Sequence, residues 1–287
     1  MVRLCENWAV SADLVSPTGC YWCGATPLSR EDLIPQWLLA VLAEISPSAD
    51  GFNSAWDYVD RTGDTSRTFP QRRPEIVVRS VCEPCNNGWM SDLEARTMPV
   101  LGPLVRGSGA RLSIDDQLVL ACWAAKTVAL LDTFQAGSIM LSEIDKAQIR
   151  LDRVAPTGFH IRLGYRTDAV ETPTNLYLAG MNARLVGTSV TSNPDQNGFA
   201  VTIGIGHVAI CVYGGPAFDA PERWRDGGNL PMMVWPPTPA GLSWPPTAPI
   251  LHDSDELRQF HEGIFQTVER PFRDPDARSL IDDARPS

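Results

Sequence analysis

The strongest constraint on how this chain can fold comes from four cysteines in two C-x2-C pairs, Cys20/Cys23 and Cys82/Cys85. Two thiolates separated by two residues in a tight turn can face one ion at ~2.3 Å, and a second such turn completes a tetrahedron. A shared ion therefore predicts that the two turns meet in space, although 58 residues lie between them. That interval exceeds the roughly 15–20 residues of the common four-cysteine zinc pattern. Structural zinc is the leading use, and a redox or iron site or a set of unrelated cysteines are the alternatives the spacing leaves open. A thioredoxin-like motif needs only one pair, at a helix N-terminus. Disulfide pairing belongs to oxidising compartments. The opening MVRLCENWAVSADL has one Arg, then Glu6, and no apolar stretch of signal-peptide length, so a cytoplasmic protein is expected. Metal held by four thiolates contributes on the order of 10 kcal/mol, so this part of the chain should unfold without it. The lone Cys5, Cys122 and Cys211 read as small buried hydrophobes.

With 287 residues, 44% of them hydrophobic and 20% charged, the chain can build one large domain or two small ones, and whole-chain disorder is excluded. Its longest apolar run, Leu118–Leu131, is interrupted by Lys126 and is too short to span a bilayer, so no membrane partner is expected. A net charge of −10 excludes a general nucleic-acid coat. Charge is nevertheless uneven. Between Arg61 and Arg111 eight Arg face five acids, a local excess of +3 that leaves −13 for the remainder. That window is the first place to look for a bound anion, the alternative being an Arg-rich solvated loop.

The pattern along the chain predicts an α+β protein. Leu33 and Ile34 suit a short strand, and Pro35 suits the first turn of a helix carried by Trp37, Leu38, Val41, Leu42 and Ile45 and stopped by Pro47. Residues 48–73 read as a loop. Glu75–Val81 is a β-branched strand running into the second cysteine pair, and Ser91 with Glu94 three residues on predicts a capping box at the next helix. Gly102–Gly109 is the best linker candidate. Helices are expected at Ile114–Phe134 and Ser142–Leu151, then strands at FHIRLGY, NLYLAG, ARLVGTSV and FAVTIGIGHVAICVY. Residues 231–250 hold seven prolines and two WPP triplets, and suit an extended segment laid over the chain's own core or a polyproline ligand. A last amphipathic helix opens at Asp253–Glu256 (Leu257, Phe260, Ile264, Val268), and the tail from Arg273 is expected to be disordered.

The residues framing the cysteine pairs carry a resemblance. CYWCG, EDLIPQWL and CEPCNNGW follow one another in that order, and together they resemble the HNH endonucleases with two zinc knuckles over Cys20–Arg96. The resemblance implies a ββα-metal hairpin and helix at the N-terminus (residues 1–105), and the helix and strand pattern beyond it predicts a mixed helix and antiparallel-sheet domain of unknown role (106–272) and the tail (273–287). By the same resemblance Cys20, Cys23, Cys82 and Cys85 hold structural Zn. Glu31 matches the acidic ligand of a catalytic Mg or Mn ion, and Asn86, with Asn87 as the alternative, matches the ligand at the start of the helix. Where the family carries its general-base His, this chain has Asp32, and no His occurs before His160. Asn53 is the only Asn between the knuckles.

That departure has a chemical consequence. Cleaving a phosphodiester needs a base for water and a cation for the developing charge. An Asp near 3.9 is a weaker base than a His near 6.5 by roughly 2.6 units. The function implied is a divalent-metal-dependent endonuclease acting on DNA, in which Asp32 is either the base of a slow, impaired enzyme or a second metal-ligating carboxylate that recruits a hydroxide, with Arg61, Arg67, Arg72 and Arg73 as phosphate contacts. The rival is a non-catalytic zinc module, a degenerate nuclease, that binds nucleic acid or a protein partner. Elsewhere signals are weak. GIGH (Gly204–His207) sits in an alternating strand without the helix of a nucleotide fingerprint, His207 suits a structural role, and His252-Asp-Ser-Asp suits a helix cap.

Overall fold

The computed structural model describes residues 2–4, 18–45, 56–58, 77–133, 141–167, 176–184, 197–215, 232–247, 250–252 and 256. Strand β1 (Val2–Leu4) is followed by β2 (Leu28–Asp32) and helix α1 (Gln36–Ile45). Strand β3 (Trp56–Tyr58) lies within the stretch read as a loop and pairs in parallel with β1. Strand β4 (Val77–Cys82) runs antiparallel to β2, with Leu28 opposite Cys82, Asp32 opposite Val77, and a bulge between Ser29 and Glu31. The strand expected at Leu33–Ile34 lies earlier, at β2. Leu33 and Ile34 form the buried bend into α1, so their apolar character marks burial in the core rather than pairing. Helix α1 starts one residue after Pro35 and buries Leu38, Leu39, Val41 and Leu42.

Immediately after β4, the single turn α2 (Glu83–Cys85), with Pro84 in it, passes through a π turn at Asn86–Met90 into α3 (Ser91–Val105). Gly88 (φ −96°, ψ −113°) supplies the kink between them. Ser91 is therefore not an N-cap. It has helical angles, because helical turns already begin at Glu83, and the expected capping box does not form there. The Gly102–Gly109 linker is likewise corrected: Gly102, Leu104 and Val105 are buried in the last turn of α3, which accommodates Pro99 and Pro103.

Beyond β5 (Ala110–Leu112), helix α4 (Ile114–Asp132) opens on a capping box, in which Ser113 Oγ accepts from Asp116 N at 3.2 Å and Ser113 N donates to Asp116 Oδ2 at 2.9 Å. Helix α5 (Glu143–Ala147) opens in the same way on Ser142 and Asp145 and continues as a π turn at Gln148–Asp152. Every residue of α4 from Val119 to Asp132 is buried, and the helix packs against α3 and against two strands of the main sheet.

That sheet is built from β6 (Phe159–Arg166), β7 (Leu176–Arg184), β8 (Asn197–Ile205), β9 (Val208–Gly214) and β10 (Met232–Trp235) in the order β10-β6-β9-β8-β7. Strand β11 (Leu242–Trp244) pairs with β5, and β12 (Ile250–Leu251) pairs in parallel with the last residues of β6, Tyr165 and Arg166. The run FAVTIGIGHVAICVY is not one strand but the β8–β9 hairpin, turning at Gly206–His207. Gly206 has φ +52°, and a Cβ there would lie 2.6 Å from the Val105 carbonyl, so only glycine lets the hairpin reach the end of α3, where His207 N donates to Val105 O at 3.0 Å. His207 stacks on Tyr165 and bonds the Arg166 carbonyl through Nδ1 at 2.7 Å, a structural role. The WPP segment lies over the chain's own core: Trp244 is buried, and Trp235 Nε1 donates to the Pro156 carbonyl at 2.9 Å.

Mixed helices with an antiparallel sheet make the protein α+β. One apolar cluster runs from Cys20, Trp22 and Leu38 through Leu101 and Trp123 to Ile161 and Val201. Among the described residues no helix is long and apolar enough to cross a membrane. Cys122 and Cys211 are buried free thiols. Cys5, Asn53, the helix expected after Glu256 and the tail lie outside the described residues.

Candidate metal centre and adjoining cleft

The first cysteine pair is shaped by glycines on either side of it. Cys23 N and Gly24 N both donate to the Cys20 carbonyl, at 3.3 and 2.7 Å, and Gly24 takes φ +73°. A Cβ on Gly19 would lie 2.3 Å from the Gly24 carbonyl oxygen, so this closure needs glycine at both positions. Tyr21 N then donates to the Ser80 carbonyl at 2.7 Å, which docks the turn against β4 two residues before Cys82. The single turn α2 carries Cys85 round to the same side.

The four ligand sulfurs lie within 4.8 Å of one another, with Cys23 Sγ 3.5 Å from Cys82 Sγ and 3.7 Å from Cys85 Sγ. A tetrahedron of sulfurs ~2.3 Å from a central ion has edges of about 3.8 Å, whereas a disulfide would need ~2.05 Å. Cys20, Cys82 and Cys85 are buried and Cys23 is exposed. The Ala25 backbone N–H draws the Cys23 thiol down to about 7, against a smaller opposing effect of burial. Burial pushes the Cys82 and Cys85 thiols up, and Cys23 beside them adds to it. Uncompensated, such a set resists ionisation, and a cation relieves that resistance. Geometry and donor chemistry fit a metal ion such as zinc, held by these four cysteines.

Beside the thiols, where β2 ends and the helical turns after β4 begin, lies a cleft of about 520 Å³. Glu31, Asp32, Asn86 and Glu94 line it, with Arg30 and Trp37. Gln36 Nε2 donates to Asp32 Oδ2 at 2.7 Å, orienting a half-buried carboxylate from the next turn of chain. Asn86 Nδ2 donates to the Arg30 carbonyl at 2.9 Å and to Ser29 Oγ at 3.3 Å, which ties the helical segment to β2 and leaves Oδ1 as the atom Asn86 can offer a ligand. Glu31 is 8% exposed. Burial pushes its carboxyl up to about 7, with Glu94 and Asp32 adding repulsion and the Lys126 ammonium opposing.

Thus Glu31, Asp32 and Asn86 share one cleft. Asn87 does not line it: exposed to solvent, it donates to Glu83 Oε1 at 3.4 Å. Arg61, Arg67, Arg72 and Arg73 lie outside the described residues. Two charged residues, one lining the cleft and one buried and paired with its carboxylates, escape the sequence reading. Glu94, assigned to a capping box, accepts from Lys126 Nζ at 2.8 Å, and Lys126, noted only as a break in an apolar run, also lies 3.8 Å from Glu31 Oε1. The only available signal is the charge itself in the middle of an apolar helix. No family model, no curated protein and no solved structure matches the chain.

Proposed function

We propose that the chain is a divalent-metal-dependent endonuclease of HNH type that cleaves DNA phosphodiesters in the cytoplasm, with structural zinc on Cys20, Cys23, Cys82 and Cys85. The observation that carries this reading is the convergence of Glu31, Asp32 and Asn86 on one cleft, from the end of an antiparallel strand pair and the first turn after it, beside four clustered thiols. Glu31 and Asn86 Oδ1 are the groups to hold Mg²⁺ or Mn²⁺, which when bound supplies charge neutralisation at the phosphate. Asp32, oriented by Gln36, takes the proton of the attacking water. A carboxylate is intrinsically a weaker base than an imidazole, so turnover is slow. Arg61, Arg67, Arg72 and Arg73 supply phosphate contacts along the duplex.

Plasmid nicking in Mg²⁺ and Mn²⁺ tests the reading. Asp32→His should raise cleavage, and Asp32→Ala or Asn86→Ala should abolish it. If wild type and Asp32→His are both inert while DNA binding persists, the second reading holds: a non-catalytic zinc module that binds nucleic acid or a protein partner. One observation favours that alternative, for Glu31 is already paired with Lys126 and Asp32 with Gln36.

A further inference from the structure

Lys126 has no exposed surface and stands in the middle of a helix whose neighbouring residues are buried and mostly apolar. Its Nζ lies 2.8 Å from Glu94 Oε1 and 3.8 Å from Glu31 Oε1. Taking an ammonium out of water costs several kcal/mol, and an unbranched apolar side chain of similar length would fill the same space without that penalty. The three partners come from three separate elements, α4, α3 and β2, so no local preference brings them together. The two carboxylates that meet the ammonium also line the cleft, next to Asp32 and Asn86. Packing alone therefore does not account for a lysine here, but its position between the carboxylates does.

We propose that Lys126 is the built-in counter-ion of the cleft: its ammonium takes the place of one cation between Glu94 and Glu31, so that the cleft accepts a single divalent ion on the side of Glu31, Asp32 and Asn86. Lys126 is a positioning residue that acts through Glu31 and does not touch substrate. It engages one carboxylate oxygen of Glu31 from the protein interior and leaves the other for a ligand. The single-ion part of this inference rests on the proposed metal-dependent function. The counter-ion part does not.

Removing the charge while keeping the volume exposes the role. In Lys126→Met and Lys126→Gln the Glu31 and Glu94 carboxylates face each other without a cation between them, and a divalent ion relieves their repulsion. Looser packing or partial misfolding weakens ion binding, whereas loss of a counter-ion strengthens it, so the sign of the change separates the two causes.

The experiment is a Mn²⁺ titration of the zinc-loaded full chain, with free Mn²⁺ read by electron paramagnetic resonance. Wild type should bind one Mn²⁺. Both variants should bind it on the order of tenfold more tightly or take up one ion more. Binding equal to or weaker than wild type overturns the proposal. So does a variant that stays unfolded in millimolar Mn²⁺, because an ion able to replace the ammonium should restore the fold. Absence of Mn²⁺ binding in wild type counts against the metal-dependent nuclease instead. In that case the counter-ion role stands if the variants gain a site and falls if they do not.

Discussion

Glu31 is a buried carboxylate whose ionisation opposes folding, and Glu31→Gln measures by how much. In the fold its carboxyl is pushed from the ordinary 4.5 up to about 7, first by burial, with Lys126 opposing. Below the lower value both folded and unfolded chains carry the proton, and the side chain contributes no penalty. As pH rises through the window, the unfolded chain gives up its proton first, so stability falls until the folded carboxyl has also ionised above about 7. At ~1.4 kcal/mol per unit, a difference of this size is worth about 3 kcal/mol. Zinc leaves thiolates in acid, which confines a clean measurement to roughly pH 5.5–8, where about 2 kcal/mol of the penalty should develop. Urea unfolding of the zinc-loaded proteins, without Mg²⁺ or Mn²⁺, should show Glu31→Gln more stable than wild type by about 3 kcal/mol at pH 8, with the gap narrowing towards pH 5.5. Taking the difference between the two proteins cancels the protons that the zinc thiolates bind. A parallel pH dependence, or a Gln variant less stable at pH 8, would refute the reasoning. It would mean that Lys126 holds Glu31 ionised throughout.

Elemental analysis should find about one zinc per chain, and Cys82→Ser should lose it together with folding, because binding and folding free energy are shared on the order of 10 kcal/mol; a folded, zinc-free Cys82→Ser protein contradicts this. Gly19→Ala should lower zinc affinity without touching a ligand, since its Cβ would lie 2.3 Å from the Gly24 carbonyl oxygen, and unchanged zinc retention against a competing chelator would show that the turn yields freely. Reversing Arg72 and Arg73 to Glu should weaken DNA binding about equally across sequences and flatten its salt dependence, and an unchanged salt slope in a filter-binding series would make them a solvated loop.

What the sequence makes legible follows from how locally each feature is encoded. The four cysteines are readable because x2 spacing is itself a geometry: two residues are what a knuckle needs to aim both thiols one way. The convergence of the sulfurs to within 4.8 Å follows from that requirement, despite the long interval between the pairs. Helix α4 is equally plain from its apolar periodicity. Misreadings arise where one residue type serves two purposes. Leu33 and Ile34 suit a strand and are a buried bend, and Ser91 suits a cap but follows turns already begun at Glu83. In the β8–β9 run the large apolar residues shift from odd positions (Val201, Ile203, Ile205) to even ones (Val208, Ile210, Val212) across Gly206–His207, and a break of only two residues is easily read through as one strand.

Lys126 is the hardest residue to read, for a different reason. One charge inside an apolar run carries no direction: in the sequence it argues only against a membrane span, and its partners lie 32 and 95 positions away. Its meaning exists only once α3 and α4 are packed and β2 lies alongside them. The same fact bears on where the site ends. Glu31, Asp32, Asn86 and Glu94 all precede the end of α3, yet the ammonium that faces two of them comes from the helix beyond it. A chain cut after Val105 would keep every thiol and every carboxylate of the cleft and still lose the cation between Glu31 and Glu94. The resemblance that covers Cys20–Arg96 therefore reaches every residue that lines the cleft but not the ammonium that pairs with two of them, which comes from outside it.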